Sequence, residues 1–434
     1  MLGRIGSRGR ACCPNDMIEP RPRMQKPVLG DPMTAAEALR WCLVIARKGA
    51  GFVSPNPMVG CVIVDAAHRF VTAGYHHRVG HEHAEIDALM NFETLKGHRQ
   101  LAGYHVYVSL EPCAHKGRTG SCAVALSELK PESVTYLLRD PNPLVAGQGA
   151  AILRQAGIAT FSAGESDRLT ESQKSELIDD AEDLNEIFLW NMRTRGSSNE
   201  RCFVTVKLAS SLDGQVALRS GESQWITSDE AREKAHRLRL EHDAILVGRK
   251  TVETDNPSLN VRLRGAEEFR NRAVILDPRA QLLPRLLEDG ADEKFNVVRV
   301  RGWDHLIVAV QDQKIPAALL ARAKDRGVRV LTGVGSEGIL DLAHLTRELR
   351  REGVQGLFVE GGAGTLGPFF DQNIVNRLHV FVAPLLIGGR DGVGWSSQFG
   401  VARLADAWKL KRLRVKKLGE GDSLNMHWTG RLDL

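Results

Sequence analysis

A histidine at position 83, a glutamate two places on, a Pro112-Cys113 pair and a further cysteine at 122 constrain this chain more than any other feature of its 434 residues. One imidazole and two thiolates make a three-ligand zinc set, and catalytic zinc sites are those that keep a fourth position for water. His83, Cys113 and Cys122 are the expected ligands. Bound zinc lowers the pKa of its water to about 7, and Glu85 is the carboxylate placed to take up and return a proton beside it. A closed structural site would need a fourth ligand, for which His115 is the nearest candidate. Glu85, and a strand expected over Tyr104–Leu110 that delivers Cys113 at its end, favour the open arrangement.

Histidine-x-glutamate followed by proline-cysteine and another cysteine resembles the zinc deaminases of nucleobases and nucleosides. Those commonly place two residues between the cysteines. Here eight intervene, Ala114 to Ser121, rich in small and turn-forming types that let the chain loop out and return. Upstream, Ser54-Pro55-Asn56-Pro57-Met58 leads into the apolar run Val59–Val64; downstream come Asp140-Pro141-Asn142-Pro143 and Val145-Ala146-Gly147. This set is similar to the deaminase half of the bifunctional riboflavin-biosynthesis deaminase–reductases, which have the longer cysteine gap with Gly-Arg-Thr inside it, here Gly117-Arg118-Thr119. Ala114 and Gly120-Ser121 replace the family's usual serine and proline pair, which bears on loop packing rather than on the ligands.

Patterning divides the chain. Helices are expected over Ala35–Lys48, Ala84–Thr94 and Ala123–Leu129, with strands over Cys61–Asp65, Tyr104–Leu110 and Ser133–Leu138. This alternation predicts a layered α/β domain with a mostly parallel sheet. His83 and Cys122 fall just before helices, where the dipole favours thiolate. Residues 165–195 are charged and helix-favouring, and Gly196-Ser197-Ser198-Asn199 breaks the pattern. The expected organisation is a tail over 1–31 (disordered, or preceding a true start at Met33), a zinc domain over 32–165, a helical connector over 166–199 and a second domain over 200–434.

In the second half, a strand over Cys202–Leu208 carries Lys207 and runs into Ala209-Ser210-Ser211-Leu212-Asp213-Gly214. Gly221–Thr227, Gly248, Thr251, Asp255-Asn256-Pro257 and Leu259–Arg262 follow. The strand Leu357–Glu360 then ends in Gly361-Gly362-Ala363-Gly364-Thr365-Leu366-Gly367. Gly362-x-Gly364-x-x-Gly367 after a strand suits backbone contact with a pyrophosphate at a helix N-terminus. It lacks the acidic residue about twenty positions on that would mark an NAD-type dinucleotide fold. These blocks resemble the reductase half of the same riboflavin enzymes, whose fold is similar to dihydrofolate reductase. The resemblance implies a three-layer cytidine-deaminase-like zinc domain followed by a dihydrofolate-reductase-like domain, with Zn2+ and NADPH as cofactors. It implies NADPH contacts at Ala209, Trp225, Thr251, Asp255, Pro278 and Gly362–Gly367 (Gly362, Ala363, Gly364, Thr365, Leu366, Gly367), with Arg279 a candidate for the 2′-phosphate. Substrate contacts are implied at Ser223, Arg239, Leu259, Arg262 and Glu360. Arg239 has a solvated ion pair as its alternative. Lys207 and Glu360, expected at strand ends, are the candidates for proton transfer. His76 and His81 are weighed as substrate-orienting groups beside a surface role, and His236, His379 and His427 show no partner pattern. Trp395 and Trp408 are expected in core or interface.

The implied chemistry is hydrolytic deamination of 2,5-diamino-6-ribosylamino-4(3H)-pyrimidinone 5′-phosphate, followed by NADPH reduction of the ribosyl to a ribityl chain, giving 5-amino-6-(5-phosphoribitylamino)uracil. Two other readings compete: a nucleic-acid-editing zinc deaminase with an accessory nucleotide-binding domain, and a sensor in which zinc only folds the first domain. Net charge is +5 with scattered Lys and Arg, which gives no nucleic-acid footprint. An apolar fraction of 43% argues against long disorder. No run approaches the roughly 18 apolar residues of a membrane span. Seven cysteines, an odd count of which five show no paired spacing, and the need to keep thiol ligands reduced point to a cytoplasmic home. The expected partner is the small phosphorylated substrate, with a homo-oligomer implied by the resemblance. Lys409–Lys417 alternates with leucine and valine and is expected as an exposed strand edge.

Overall fold

The computed structural model describes residues 25–96, 103–114, 120–143, 145–223, 225–311, 315–336 and 339–432. Most of the expected tail, and the Gly117-Arg118-Thr119 loop with His115, lie outside them. Gly30 and Asp31 already exchange hydrogen bonds with Phe70, so packing begins slightly before the expected boundary.

The first half folds as α1 (Ala35–Ala46), β1 (Gly60–Val64), β2 (Phe70–Tyr75), α2 (Ala84–Lys96), β3 (His105–Leu110), α3 (Cys122–Leu129), β4 (Ser133–Leu138), α4 (Gln148–Gln155) and β5 (Ala159–Ser162). Thr34 starts α1 through a capping box with Glu37, which satisfies two otherwise orphaned backbone donors. The sheet order is β2-β1-β3-β4-β5. It is mixed, not mostly parallel: β1 runs antiparallel to both β2 and β3, while β3, β4 and β5 are parallel. The reason is the short Asp65–Arg69 turn, in which the Asp65 carboxylate accepts from Ala67 and Arg69 N–H. A link that short can only make a hairpin, because parallel pairing needs a crossover of a dozen residues. Strand alternation then sends Val62 and Val64 to the face covered by α1, and Cys61 and Ile63 to the face covered by α2, α3 and α4.

The connector is two helices, α5 (Glu171–Leu184) and α6 (Glu186–Thr194), meeting at Asn185. Its apolar residues Leu177, Ala181, Leu184 and Leu189 join the α1 core. Its acidic residues Asp180, Asp183 and Glu186 pair with arginines of the second domain, while Glu176 pairs with Arg40 of α1.

That domain contains β6 (Phe203–Ser211), β7 (Gln215–Leu218), α7 (Asp229–Leu240), β8 (Ala244–Gly248), α8 (Arg249–Asp255), β9 (Arg272–Leu276), β10 (Leu306–Ala309) and β11 (Arg329–Leu331). The short pair β12 (Gly335–Ser336) and β13 (Ile339–Leu340) leads to β14 (Gly356–Val359), β15 (Arg377–Ala383), β16 (Gly392–Gly394), β17 (Leu410–Leu418) and β18 (Asn425–Leu432). Nine strands pair in the order β11-β10-β9-β8-β14-β6-β15-β18-β17. The first seven are mutually parallel and β18 and β17 turn antiparallel. Helices cover both faces, as parallel sheets require. Late in sequence, β14 inserts between β8 and β6. Ligand sites in open α/β sheets lie beyond the carboxyl ends of strands where the order reverses. The expected basic strand edge is β17, last in the order. Trp395 and Trp408 pack with Phe370 and Phe399 on one core, as expected.

Candidate functional sites

His83, Cys113 and Cys122 meet. Their ligand atoms lie within 4.8 Å of one another, with His83 Nδ1 3.5 Å from Cys113 Sγ and 3.3 Å from Cys122 Sγ. The eight-residue gap closes because Cys113 is fastened to the start of α3. Its carbonyl accepts from Ala123 N–H and from Ser121 Oγ, and Ser121 caps the helix by accepting from Val124 N–H. The Cys122 N–H donates to Cys113 Sγ at 3.4 Å. Contact with the Cys122 thiol holds the Cys113 thiol down to about 4, whereas the same contact and burial push Cys122 up. Two thiols so close ionise together only with a cation between them, and three soft and borderline donors, with no fourth in their cluster among the described residues, match zinc. The donor set therefore fits the metal.

Glu85 opens α2 beside this cluster, 4% exposed. Burial, then the Cys113 charge, raise its carboxyl to about 7. His76, weighed against a surface role in the sequence, is buried. Its ring stands edge-on to that of His83, with centroids 5.5 Å apart. His76 Nδ1 faces the Glu82 carbonyl at 3.0 Å, and Nε2 faces Asn56 Nδ2 at 3.4 Å, so the ring donates at Nδ1 and accepts at Nε2. Burial lowers its pKa and keeps it neutral. His81 is exposed. Sequence reasoning passed over Asn56 except as part of its loop, and it passed over Glu111. The buried Glu111 carboxylate accepts from Asp140, Gly147 and Ala150 N–H, which ties the Asp140–Gly147 segment to the strand end that carries Cys113.

In the second domain the expected proton-transfer and substrate groups converge only in part. Glu360 follows β14, and its carboxylate accepts from Arg239 Nη2 at 2.6 Å and Nε at 3.2 Å. This pair is buried, which decides Arg239 against the solvated alternative. Burial raises the Glu360 carboxyl, but the Arg239 and Lys207 charges more than offset it and the net shift is downward. Lys207 is not at a strand end. It lies mid-way along β6, yet Val359 pairs with Val206, so Lys207 is level with Glu360 because β6 outruns β14. Burial lowers the Lys207 ammonium, with Glu360 opposing and Arg239 assisting. Arg239 Nη1 also donates to the Asn260 carbonyl, and Arg301 donates to that of Leu259, whose backbone is left-handed at φ +50°. Arg262 N–H donates to His236 Nδ1. His236, unassigned from sequence, is thus part of the cluster. Burial and the neighbouring arginines push it down to about 4.

The implied cofactor residues ring the carboxyl ends of the same strands. Ala209 is on β6, Thr251 and Asp255 on α8 after β8, Pro278 after β9, and Gly362–Gly367 after β14. Gly362 N-caps the helix Ala363–Asp371 without a side-chain cap; its carbonyl takes the Thr365 and Leu366 N–H groups, which leaves those of Ala363 and Gly364 at the start of the helix to face the turn. A Cβ added at Gly362 or Gly364 would meet nothing within 4 Å: the turn is an open cradle, and it fits a diphosphate. Gly361 and Gly248 are glycines for another reason. A Cβ there would come within 3.1 and 2.4 Å of Thr365. Gly367 likewise packs against Gln398 and is not part of the cradle. The Pro278 carbonyl already accepts from Gln311 N–H. Trp225 is 68% exposed under the Arg232 guanidinium, and Ser223 shares its loop. No direct contact between these two and the Glu360 cluster appears among the described residues.

A cavity of about 670 Å³ separates the halves, lined by Asn56, Asn185, Glu186, Lys234, Arg377 and His379 among others. It holds neither the zinc ligands nor Lys207 and Glu360, so it is not a reaction site.

Residues 202–422 match the RibD C-terminal domain, and residues 33–138 match the cytidine and deoxycytidylate deaminase zinc-binding region. The chain is 34% identical over 388 residues to the riboflavin biosynthesis protein RibD of Actinobacillus pleuropneumoniae, covering 89% of this chain and 94% of that one. It is 34% identical to the RibD of Escherichia coli, covering 88% and 96%. Among solved structures it is similar to Acinetobacter baumannii RibD, at 29% identity and TM-score 0.69 over 92% of this chain and 99% of that one. It is also similar to a diaminohydroxyphosphoribosylaminopyrimidine deaminase/5-amino-6-(5-phosphoribosylamino)uracil reductase from Thermotoga maritima, at 27% identity and TM-score 0.71 over 92% and 98%.

Proposed function

The chain belongs to the RibD family of riboflavin-biosynthesis proteins, and from that premise we propose which of its residues carry each of two successive reactions on one phosphorylated aminopyrimidine. It is a bifunctional deaminase and reductase that uses Zn2+ and NADPH. The substrate is a small molecule, and family membership removes the nucleic-acid-editing and sensor readings.

His83, Cys113 and Cys122 hold the zinc, which supplies a water acidic enough to be deprotonated at neutral pH. Glu85 Oε takes a proton on the substrate side of the cluster and returns it to the departing amine, leaving the pyrimidine carbonyl. Its carboxyl, poised near 7 by burial, suits a group that must both accept and donate. Asn56 and the neutral His76, which stand beside His83, would orient the pyrimidine ring at this cluster.

In the second site NADPH supplies hydride. The open Gly362–Gly364 turn binds its diphosphate. Arg239 and Arg262 meet the substrate phosphate, which suits a planar guanidinium. Hydride addition at the sugar C1′ must be matched by a proton on the oxygen that leaves C1′. Lys207, its ammonium weakened by burial and by the nearby Arg239 charge, gives that proton, while the Glu360 carboxylate opposes both and keeps the ammonium available. Cys113 and Cys122 must stay reduced to serve as ligands, which fits a cytoplasmic setting.

The observation that carries this reading is the convergence of both motif sets into separate clusters on one chain. Zinc-loaded protein given the diaminopyrimidine ribosyl phosphate should release ammonia without NADPH, and oxidise NADPH only afterwards. Absence of both would overturn it.

A further inference from the structure

The deaminase loop does not end at its own domain. Asn185, 3% exposed between α5 and α6, uses both ends of its amide on one residue: Oδ1 accepts from Met58 N–H at 2.8 Å, and Nδ2 donates to the Met58 carbonyl at 2.9 Å. A primary amide can mimic a backbone partner in this way, whereas a carboxylate or an apolar side chain cannot do both. Met58 lies two residues after Asn56, whose side chain meets His76 beside the zinc ligand His83. The Asn185 backbone is itself clamped, its N–H donating to Ala181 and its carbonyl accepting from Leu189.

The next residue, Glu186, belongs to the other half. Arg377, the first residue of β15 and almost fully buried, donates from Nε to both Glu186 oxygens at 2.8 and 3.0 Å and from Nη2 to Asp183 at 2.9 Å. Arg431 of β18 reaches the same two acids at 3.3 and 3.0 Å, and Arg414 of β17 reaches Asp180 and Asp183 at 2.6 and 2.8 Å. Arg377 sits two residues before His379, which pairs with Lys207 on β6. Buried, multiply bonded charge pairs resist displacement, since removing one partner strands the other.

We infer that Asn185 is a positioning residue for the deaminase site, holding the Asn56 loop against His76 beside the ligand His83, and that the reductase sheet fixes its place through the Glu186–Arg377 pair. The inference rests on the deamination reading above. A misplacement of about 1 Å in such a loop can cost up to about 10²-fold in rate.

The test uses the full-length, zinc-loaded chain. Asn185→Ala should lower kcat/KM for ammonia release by about tenfold or more, with one zinc retained and with NADPH oxidation of the supplied deaminated intermediate unchanged. Glu186→Gln should lower deamination in the same direction although it touches no deaminase residue. In the Asn185→Ala background it should add nothing, because both act through one link. Should the alanine variant lose zinc or melt early, Asn185→Asp carries the same comparison, since it keeps the acceptor for Met58 N–H. Normal deamination in folded, zinc-loaded variants overturns the positioning role. Additive losses in the double variant overturn the link to the reductase sheet. Failure of the unaltered protein to release ammonia would instead sink the underlying activity.

Discussion

The two catalytic halves are built on opposite plans. In the first, the reacting groups sit at the starts of two helices and the end of one strand, and a single 40-residue stretch, His83 to Cys122, holds all of them. In the second, Lys207, Arg239, Asn260 and Glu360 come from four separate segments spread over more than 150 residues. They meet only because β14 inserts late between β8 and β6. A metal demands fixed donor atoms within a few ångströms, so its ligands cluster in sequence as well as in space. A phosphorylated sugar and a dinucleotide are recognised across a wide surface, and the sheet does the gathering.

The sharpest way to break this contrast is at the metal. Cys122→Ser replaces a thiolate with a hard hydroxyl that is a poor zinc ligand. Metal content should fall to background and ammonia release should vanish. NADPH oxidation of the supplied intermediate should persist; its loss in a folded variant would show that the second plan depends on the first. Next in size is Glu85→Gln, which keeps volume and ligands but removes the proton carrier. Deamination should drop by about 10²–10⁴-fold at full zinc occupancy, and an undiminished rate would falsify the role assigned to that carboxylate.

The legibility of each half followed the same division. The ligand set, Glu85, and the helices and strands carrying them were readable because motif and period are local. The mixed sheet was not, since β2 is a short run whose partner is decided by a hairpin turn. Nor were Asn56 and Glu111, whose work is done by single hydrogen bonds across the fold. In the second half the open turn at Gly362 and the arginines were readable as residue types. The burial of the Arg239–Glu360 pair and the involvement of His236 were not, because both depend on which strand lies beside which. Of the glycines expected to meet a pyrophosphate, Gly367 packs against Gln398, while Gly362 and Gly364 open onto empty space.

Gly364→Val sharpens that last distinction. A Cβ at this position meets no protein atom within 4 Å, so stability should largely hold while NADPH binding weakens by about tenfold or more, at least about 1.4 kcal/mol. Equal loss of melting temperature and binding would place Gly364 with the packing glycines instead. The smallest expected effect is on pH. Burial pushes His427 down to about 3 and His236 to about 4 in the folded chain, against roughly 6.5 when unfolded. The unfolded state therefore binds more protons between those values. Stability from these groups is complete above about pH 6.5 and declines as pH falls toward 4, at up to about 1.4 kcal/mol per pH unit for the buried His427. A melting temperature that stays flat from pH 7 to 5 would remove these histidines from the account.

Strand β17 has a consequence outside catalysis. A nine-residue strand at the rim of a large sheet exposes a row of unpaired amides and carbonyls that another chain can extend. In Leu410–Leu418 that row is studded with lysine and arginine, and its pairing with β18 slips between Lys411 and Arg414, where Arg412 turns left-handed. Like charges and a local twist make it a poor template for a second copy of itself. The basic stretch whose Arg412 and Arg414 also hold the connector acids thus carries the charge and twist that guard an edge strand against edge-to-edge pairing.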